Sequence, residues 1–312
     1  MRAVTDRVRI TDVSPRDGLQ NEPGAIPTAR KADLVSALAQ ARVDEVEVTS
    51  FVSPRWVPQL GDAAELCNLI APSKPEGIVY SALVPNERGL DRLFEVNDAS
   101  KSAHGAPVIN KASVFTAASE TFSQKNTNAT IAETIERFVP VVKRAHEQGL
   151  PVRGYVSCVV RCPFEGDVQP SAVADVCARL LDMGIDELDL GDTIGAATRE
   201  SLGALLDLIE KTPGVEVGKA DRFTLHLHDT QGLAADCARL AMSRGVRSFD
   251  ASAGGLGGCP YASTPGNRAP GNLATGGLLW AIGEEGFIHG VDADALGDAS
   301  VLAEDLRRRA SS

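Results

Sequence analysis

The chain has 312 residues and a net charge of −11, from 31 lysines and arginines against 42 aspartates and glutamates. A chain of this length buries about 75% of its unfolded surface, so it needs no disulfide staples, and a charged fraction of 23% beside a hydrophobic fraction of 43% excludes a disordered chain. The acidic balance excludes a binder of nucleic-acid phosphates, no apolar run approaches the ~18 residues of a membrane span, and the opening MRAVTDRVRITDVS has no apolar signal core, which together read as a cytoplasmic protein.

Short β-branched runs alternate with helical stretches along the whole chain. In order, the expected elements are a strand over Val8–Asp12, a helix over Thr28–Ala41, a strand over Glu45–Thr49 and a helix over Ala63–Leu69. Strands over Ile78–Leu83 and Ala112–Thr116 follow, and the small, polar segment Asn97–Asn110 between them reads as a long loop or insertion. Next come a helix over Ile131–Gln148, a strand over Val152–Ser157, a helix over Ser171–Met183 and a strand over Glu187–Leu190. The last third gives a helix over Arg199–Glu210, a strand over Thr224–His228, a helix over Leu233–Arg244, a strand over Ser248–Ala251 and a helix over Leu273–Glu284. Gly149, Gly184 and Gly245 follow helical runs, where a left-handed residue ends a helix. Eight strand–helix units predict the α/β class and a closed (β/α)8 TIM barrel in a single domain over 1–312. The barrel core runs from about 8 to 285, with a C-terminal helical tail over 286–312. Arg307, Arg308 and Arg309 read as a solvated helix end.

In such a barrel the chemistry sits at the C-terminal ends of the strands. Strand one runs into Asp12-Val13-Ser14-Pro15-Arg16-Asp17-Gly18, strand two carries Glu47 and Ser50, and strand six ends in Gly191-Asp192-Thr193. Strand seven gives His226-Leu227-His228, and strand eight leads to Gly254-Gly255-Leu256-Gly257-Gly258-Cys259. Alternate strand residues face the same way, so His226 and His228 present two imidazoles to adjacent sites of one ion. Asp17 or Asp192 would supply the oxygen that a hard divalent cation prefers, and a mixed set of Asp, two His and an amide suits Mg²⁺ or Mn²⁺ better than structural zinc. Gly18 would let the chain turn over the site through unusual backbone angles. Four glycines among Gly254–Gly258 argue for a mobile lid that carries the Cys259 thiol. The run lacks the order of a dinucleotide fingerprint and the lysine of a P-loop. The other cysteines, Cys67, Cys158, Cys162, Cys177 and Cys237, read as reduced, buried thiols.

These motifs resemble the 3-hydroxy-3-methylglutaryl-CoA lyases, a branch of the barrel family of metal-dependent acyl lyases and Claisen-type synthases. The resemblance rests on Ser14–Glu22 (SPRDGLQNE), Thr49–Gly61 (TSFVSPRWVPQLG), Arg153–Cys158 (RGYVSC), Cys162–Gly166 (CPFEG), Gly191–Gly195 (GDTIG), His226–Thr230 (HLHDT) and Gly255–Ala262 (GLGGCPYA), in family order. It implies a carbon–carbon lyase that takes an acyl-CoA, uses Mg²⁺ or Mn²⁺, forms a homo-oligomer (dimer or tetramer), and serves leucine degradation and ketone body formation. It implies Asp17, His226, His228 and Asn272 as metal ligands, with Asn267 the rival for the fourth place. Arg16 would meet the reacting carbonyl or enolate, Glu47 would sit near the metal and the substrate hydroxyl, and Asp192 would support the site or a proton relay. Cys259 would be the lid thiol, Gln20 and Ser50 would line the pocket, and Asn126 and Arg153 would lie toward the CoA channel. The chain departs from the family pattern at Gln231, at Arg161, in the segment Ser263-Thr264-Pro265-Gly266 between Cys259 and Asn272, and around Asn97–Asn110. These departures leave open a longer branched substrate. A synthase running the condensation is a further alternative, as is a barrel that only binds metal.

Overall fold

The computed structural model describes residues 6–258 and 270–311. Eight parallel strands close a barrel: β1 (Arg9–Asp12), β2 (Glu45–Ser50), β3 (Val79–Leu83), β4 (Lys111–Ala117), β5 (Val152–Ser157), β6 (Glu187–Asp192), β7 (Phe223–Leu227) and β8 (Ser248–Ala251). Each strand pairs with its neighbours in sequence, and β1 pairs with β8 through Arg9–Ser248 to Asp12–Ala251, which closes the ring. The eight expected strands are all present, with ends shifted by a residue or two.

Ten helices surround the barrel among the described residues: α1 (Thr28–Gln40), α2 (Ala63–Ile70), α3 (Glu87–His104), α4 (Glu120–Thr127), α5 (Ile131–Glu147), α6 (Pro170–Met183), α7 (Arg199–Ile209), α8 (Ala234–Ser243), α9 (Thr275–Glu284) and α10 (Ala293–Ala310). The segment Asn97–Asn110 is not a long loop. Its first half is the C-terminal part of α3, which Asn86 caps by accepting from Gly89 N. The apolar stripe Leu90, Leu93, Val96 continues through Asn97 and Ser100, which are buried too. Asn97 exchanges two 2.9 Å hydrogen bonds with the backbone of Ile109. The other small and polar residues of that part of the helix, Asp98, Ala99, Lys101, Ser102, Ala103 and His104, lie on its solvent face.

Strand residues alternate in character, and the alternation sorts two interiors. Val46, Val48, Leu188, Leu190, Leu225 and Phe249 are fully buried against the helices and form the apolar core between barrel and shell. Their neighbours Glu45, Glu47, Arg153, Tyr155, Glu187, Asp189, Thr224, His226 and Asp250 are also buried. Arg153 of β5 reaches Glu45 of β2 and Asp250 of β8, strands that are not its neighbours, so these side chains meet across the inside of the barrel. TIM-barrel interiors are dominated by branched aliphatic residues; here the interior is ionic.

Candidate active site

The site is assembled where β1, β2, β7 and β8 end. After β1 the chain makes one wide turn over Ser14–Gly18, in which Gly18 N donates to Val13 O five residues back. Such π-type turns concentrate at functional sites. Asp12 fixes the turn from below: its carboxylate accepts from Ser14 N, Ser14 Oγ and Thr275 Oγ1. Gly18 does not adopt a left-handed backbone. Its role is close packing, since a Cβ there would meet the Leu256 side chain at 2.9 Å.

The turn presents Arg16 and Asp17. Arg16 Nε donates to Glu47 Oε2 at 2.5 Å, and its Nη1 donates to Asp17 Oδ1 at 2.8 Å. Glu47 lies next to a register shift in β2, a β-bulge of the kind that re-aims side chains beside active sites. Gln20 Nε2 also donates to Asp17 Oδ1. Burial raises the Asp17 carboxyl, but Arg16, His226 and His228 outweigh it and hold the group at about 2. Asp17 is therefore a carboxylate at any working pH.

β7 supplies His226, and His228 follows just past its end, held in extended backbone by a bridge to Asn272. The two rings lie 5.1 Å apart. Burial, and then the neighbouring His226, push the His228 imidazole down to about 4, so it is neutral at pH 7. For His226, burial lowers the pKa, but the hydrogen bond from Nδ1 to Asp250 Oδ2 at 3.0 Å and the Asp250 charge outweigh it and raise the group. Ligand atoms of Asp17, His226 and His228 lie within 4.8 Å of one another, the one such cluster among the described residues. Asn272 Nδ2 donates to Asp17 Oδ2 and to Leu256 O, each at 2.9 Å, while its Oδ1 is buried without a partner. A buried acceptor of this kind calls for an unseen donor or cation. One carboxylate, two imidazoles and an amide oxygen fit a divalent ion.

A cavity of about 650 Å³ opens onto this cluster, lined by Arg16, Asp17, Gln20, Ser50, Asn126, His226 and His228. Of the expected site residues, these seven are brought together. Glu47 sits beneath them as the partner of Arg16. Asp192 does not line the cavity; its oxygens accept from Ala196 N and Ala197 N and tie down the loop after β6. Arg153 is corrected: it is fully buried and engaged by Glu45, Glu187, Asp189 and Asp250, so it cannot reach a CoA channel. Leu256 is fully buried, Gly254 packs against α10, and Gly257 turns with φ of 99° against Asn272, so left-handed turns and close packing account for these glycines. Cys259 and Asn267 lie outside the described residues. Arg161 is exposed and pairs with Asp167 in a small hairpin of Arg161–Cys162 with Gly166–Asp167.

Sequence motifs do not single out Lys125, Arg137, Tyr155 or Asp250, nor the apolar lining of Leu83, Phe115 and Phe138. Lys125, Arg137 and Tyr155 line the cavity, and Asp250 backs His226. The available signal was period two: Asp250 is the lone acid in the strand Ser-Phe-Asp-Ala, in register with His226 of the neighbouring strand.

Comparison with known proteins agrees with this geometry. A family profile described as HMGL-like matches residues 7–302. The chain belongs to the HMGL-like family. Within it, the chain is 42% identical over 294 residues to the hydroxymethylglutaryl-CoA lyase of Pseudomonas mevalonii, covering 94% of this chain and 90% of that one. It is 43% identical over 293 residues to a 3-hydroxy-3-isohexenylglutaryl-CoA/hydroxy-methylglutaryl-CoA lyase of Pseudomonas aeruginosa, covering 94% and 90%. The crystal structure of the HMG-CoA lyase of Brucella melitensis superposes with a TM-score of 0.87 at 42% identity, covering 97% of this chain and all of that one. The resemblance read from the motifs is borne out, as are the barrel and the class of carbon–carbon lyase. No helix among the described residues is long and apolar enough to cross a membrane.

Proposed function

We propose that this HMGL-like protein cleaves 3-hydroxy-3-methylglutaryl-CoA to acetyl-CoA and acetoacetate by a retro-Claisen reaction that depends on Mg²⁺ or Mn²⁺. The observation that carries this reading is the juxtaposition of the Asp17–His226–His228 cluster and the Arg16 guanidinium on one cavity, with Asn272, whose Oδ1 is orphaned, hydrogen-bonded to Asp17. Asp17, His226, His228 and Asn272 would hold the cation. When bound, it supplies Lewis acidity at the C3 hydroxyl of the substrate.

The chain's own groups do the rest. Arg16 offers a rigid positive charge to the thioester oxygen on which the enolate forms. Glu47 and Asp17 fix the guanidinium, so no reorganisation is needed as charge develops. As an acceptor for the C3 hydroxyl proton, Asp17 is a weak base, held at about 2. Glu47 is raised, first by burial, but it is fully buried beneath the cavity and serves the site through Arg16, so a water held by His226 is the acceptor left to take that proton. We assign the return of a proton to the acetyl-CoA enolate to the Cys259 thiol, on sequence grounds. Lys125 and Arg137 supply cations on the cavity lining for a phosphorylated carrier such as CoA.

The test is release of acetyl-CoA and acetoacetate from 3-hydroxy-3-methylglutaryl-CoA with Mg²⁺ or Mn²⁺, then with chelator. Metal-dependent release of both products supports the reading, and no release from a metal-loaded protein sinks it. A second reading, a longer branched 3-hydroxyglutaryl-CoA, is favoured by the apolar lining of Leu83, Phe115 and Phe138 and by the dual name of the Pseudomonas aeruginosa relative. Comparing kcat/KM for the methyl and isohexenyl substrates decides between them.

A further inference from the structure

His226 and Arg16 belong to opposite arms of the site, yet both are anchored to one buried joint. On one arm, His226 Nδ1 meets Asp250 Oδ2 at 3.0 Å. On the other, Arg16 Nε donates to Glu47 Oε2 at 2.5 Å. The Tyr155 hydroxyl lies between the two acids, 3.2 Å from Glu47 Oε2 and 3.3 Å from Asp250 Oδ2. Arg153 Nη1 donates to that hydroxyl at 3.3 Å and reaches Asp250 Oδ1 at 3.3 Å. Arg153 and Asp250 are fully buried and Tyr155 is nearly so. The Tyr155 ring also stacks edge-on to His226 and under the Arg16 guanidinium.

We propose that Asp250, clamped by Arg153 and joined through the Tyr155 hydroxyl to Glu47, is a positioning residue that sets the cation affinity of the site. It touches neither cation nor substrate. It fixes the ring of His226 and leaves Nε2 as the free nitrogen of that imidazole. Carboxylates behind ligating histidines act in this way, and losing them typically weakens metal binding by about 10–100-fold. Arg153 makes the arrangement durable. A guanidinium shared by Asp250, Asp189, Glu187 and Glu45 cannot swing, so the carboxylate behind His226 has one position. Tyr155 then links that position to Arg16, so that the cation site and the enolate site share one frame.

The inference rests on the cation reading given above, and one titration separates the two. Mn²⁺ is titrated into the full chain by calorimetry, with the thermal midpoint of each variant as a check on folding. If the wild type takes no Mn²⁺, the cation reading fails and this inference falls with it. If the wild type binds, Asp250→Asn is expected to raise the Kd by about 10–100-fold, and Tyr155→Phe by about fivefold, the worth of one hydrogen bond. In the double variant the Tyr155 effect is expected to shrink, because its route through Asp250 is gone. A Kd for Asp250→Asn within twofold of wild type overturns the inference, as does strict additivity in the cycle. Should Asp250→Asn not fold, Tyr155→Phe decides alone. An unchanged Mn²⁺ Kd with a raised KM for the acyl-CoA would make the hydroxyl a substrate contact and overturn the positioning role.

Discussion

Arg16 Nε and Glu47 Oε2 are 2.5 Å apart across the seam between β1 and β2, and both residues are buried. The pair fixes the direction of a guanidinium that Asp17 holds from the other side. Removing the cation without its frame should therefore cost rate rather than binding. Arg16→Gln is expected to lower kcat by about 10²–10³-fold, the usual loss for one preorganised electrostatic donor, with KM nearly unchanged. Initial rates of acetyl-CoA release check this, and a rise in KM at constant kcat would refute it.

The cation cluster predicts a stability response that needs no turnover. At a concentration about 100 times its Kd, Mn²⁺ should add about 2.7 kcal/mol to the folded state. The thermal midpoint should rise by several degrees and return with chelator. His228→Ala, which removes an imidazole from the cluster, should abolish the shift while the apo midpoint stays close to that of the wild type.

Asp12 predicts a pH dependence of stability. Its carboxyl is fully buried, and desolvation is the main cause that raises it from 3.8 to about 6, against hydrogen bonds from Ser14 and Thr275 that lower it. A raised carboxyl favours the fold when protonated. Its contribution is complete below about pH 3.8 and is lost as the pH rises through about 6, an amount on the order of 3 kcal/mol. Asp12→Asn should remove that loss. Urea midpoints at about pH 4.5 and 7 should show the variant gaining on the wild type as pH rises, and a constant difference would show that Asp12 does not titrate in this window.

Gly257 should tolerate replacement poorly. A Cβ there would sit 2.6 Å from Asn272 Nδ2, on a backbone with φ of 99°. Gly257→Ala should cost about 1–3 kcal/mol in strain and weaken Mn²⁺ binding by displacing Asn272. Gly297 in α10 is the control, since a Cβ there would have no neighbour within 4 Å. Gly297→Ala should stabilise by about 0.5–1 kcal/mol. Equal effects from the two would refute the packing argument.

The barrel was legible because strand and helix periods alternate cleanly, and the rim chemistry because Arg16, Asp17, His226 and His228 stand at strand ends. The buried network was not legible. Arg153 lies 97 residues from Asp250 and 108 separate Tyr155 from Glu47, so nothing local pairs them. By its motif Arg153 belongs to the rim, whereas the side chain points inward from near the N-terminal end of β5. The C-terminal part of α3 is hidden for a different reason. Its buried positions Asn97 and Ser100 are polar and satisfied by the backbone of Ile109 and Ala106, so the apolar stripe fades while the helix continues.

The ionic lining of the barrel also constrains how such a protein can change over generations. Most of the acids and bases there share partners, so replacing one charged member strands a charge away from water, at a cost of about 3–5 kcal/mol. Charge-preserving, paired exchanges are the passable routes. The apolar shell between strands and helices tolerates volume-conserving swaps at about 1.5 kcal/mol or less, and the rim loops tolerate more still. New acyl-chain preferences should therefore arise by drift at the rim, over an interior that mutation can seldom enter one residue at a time.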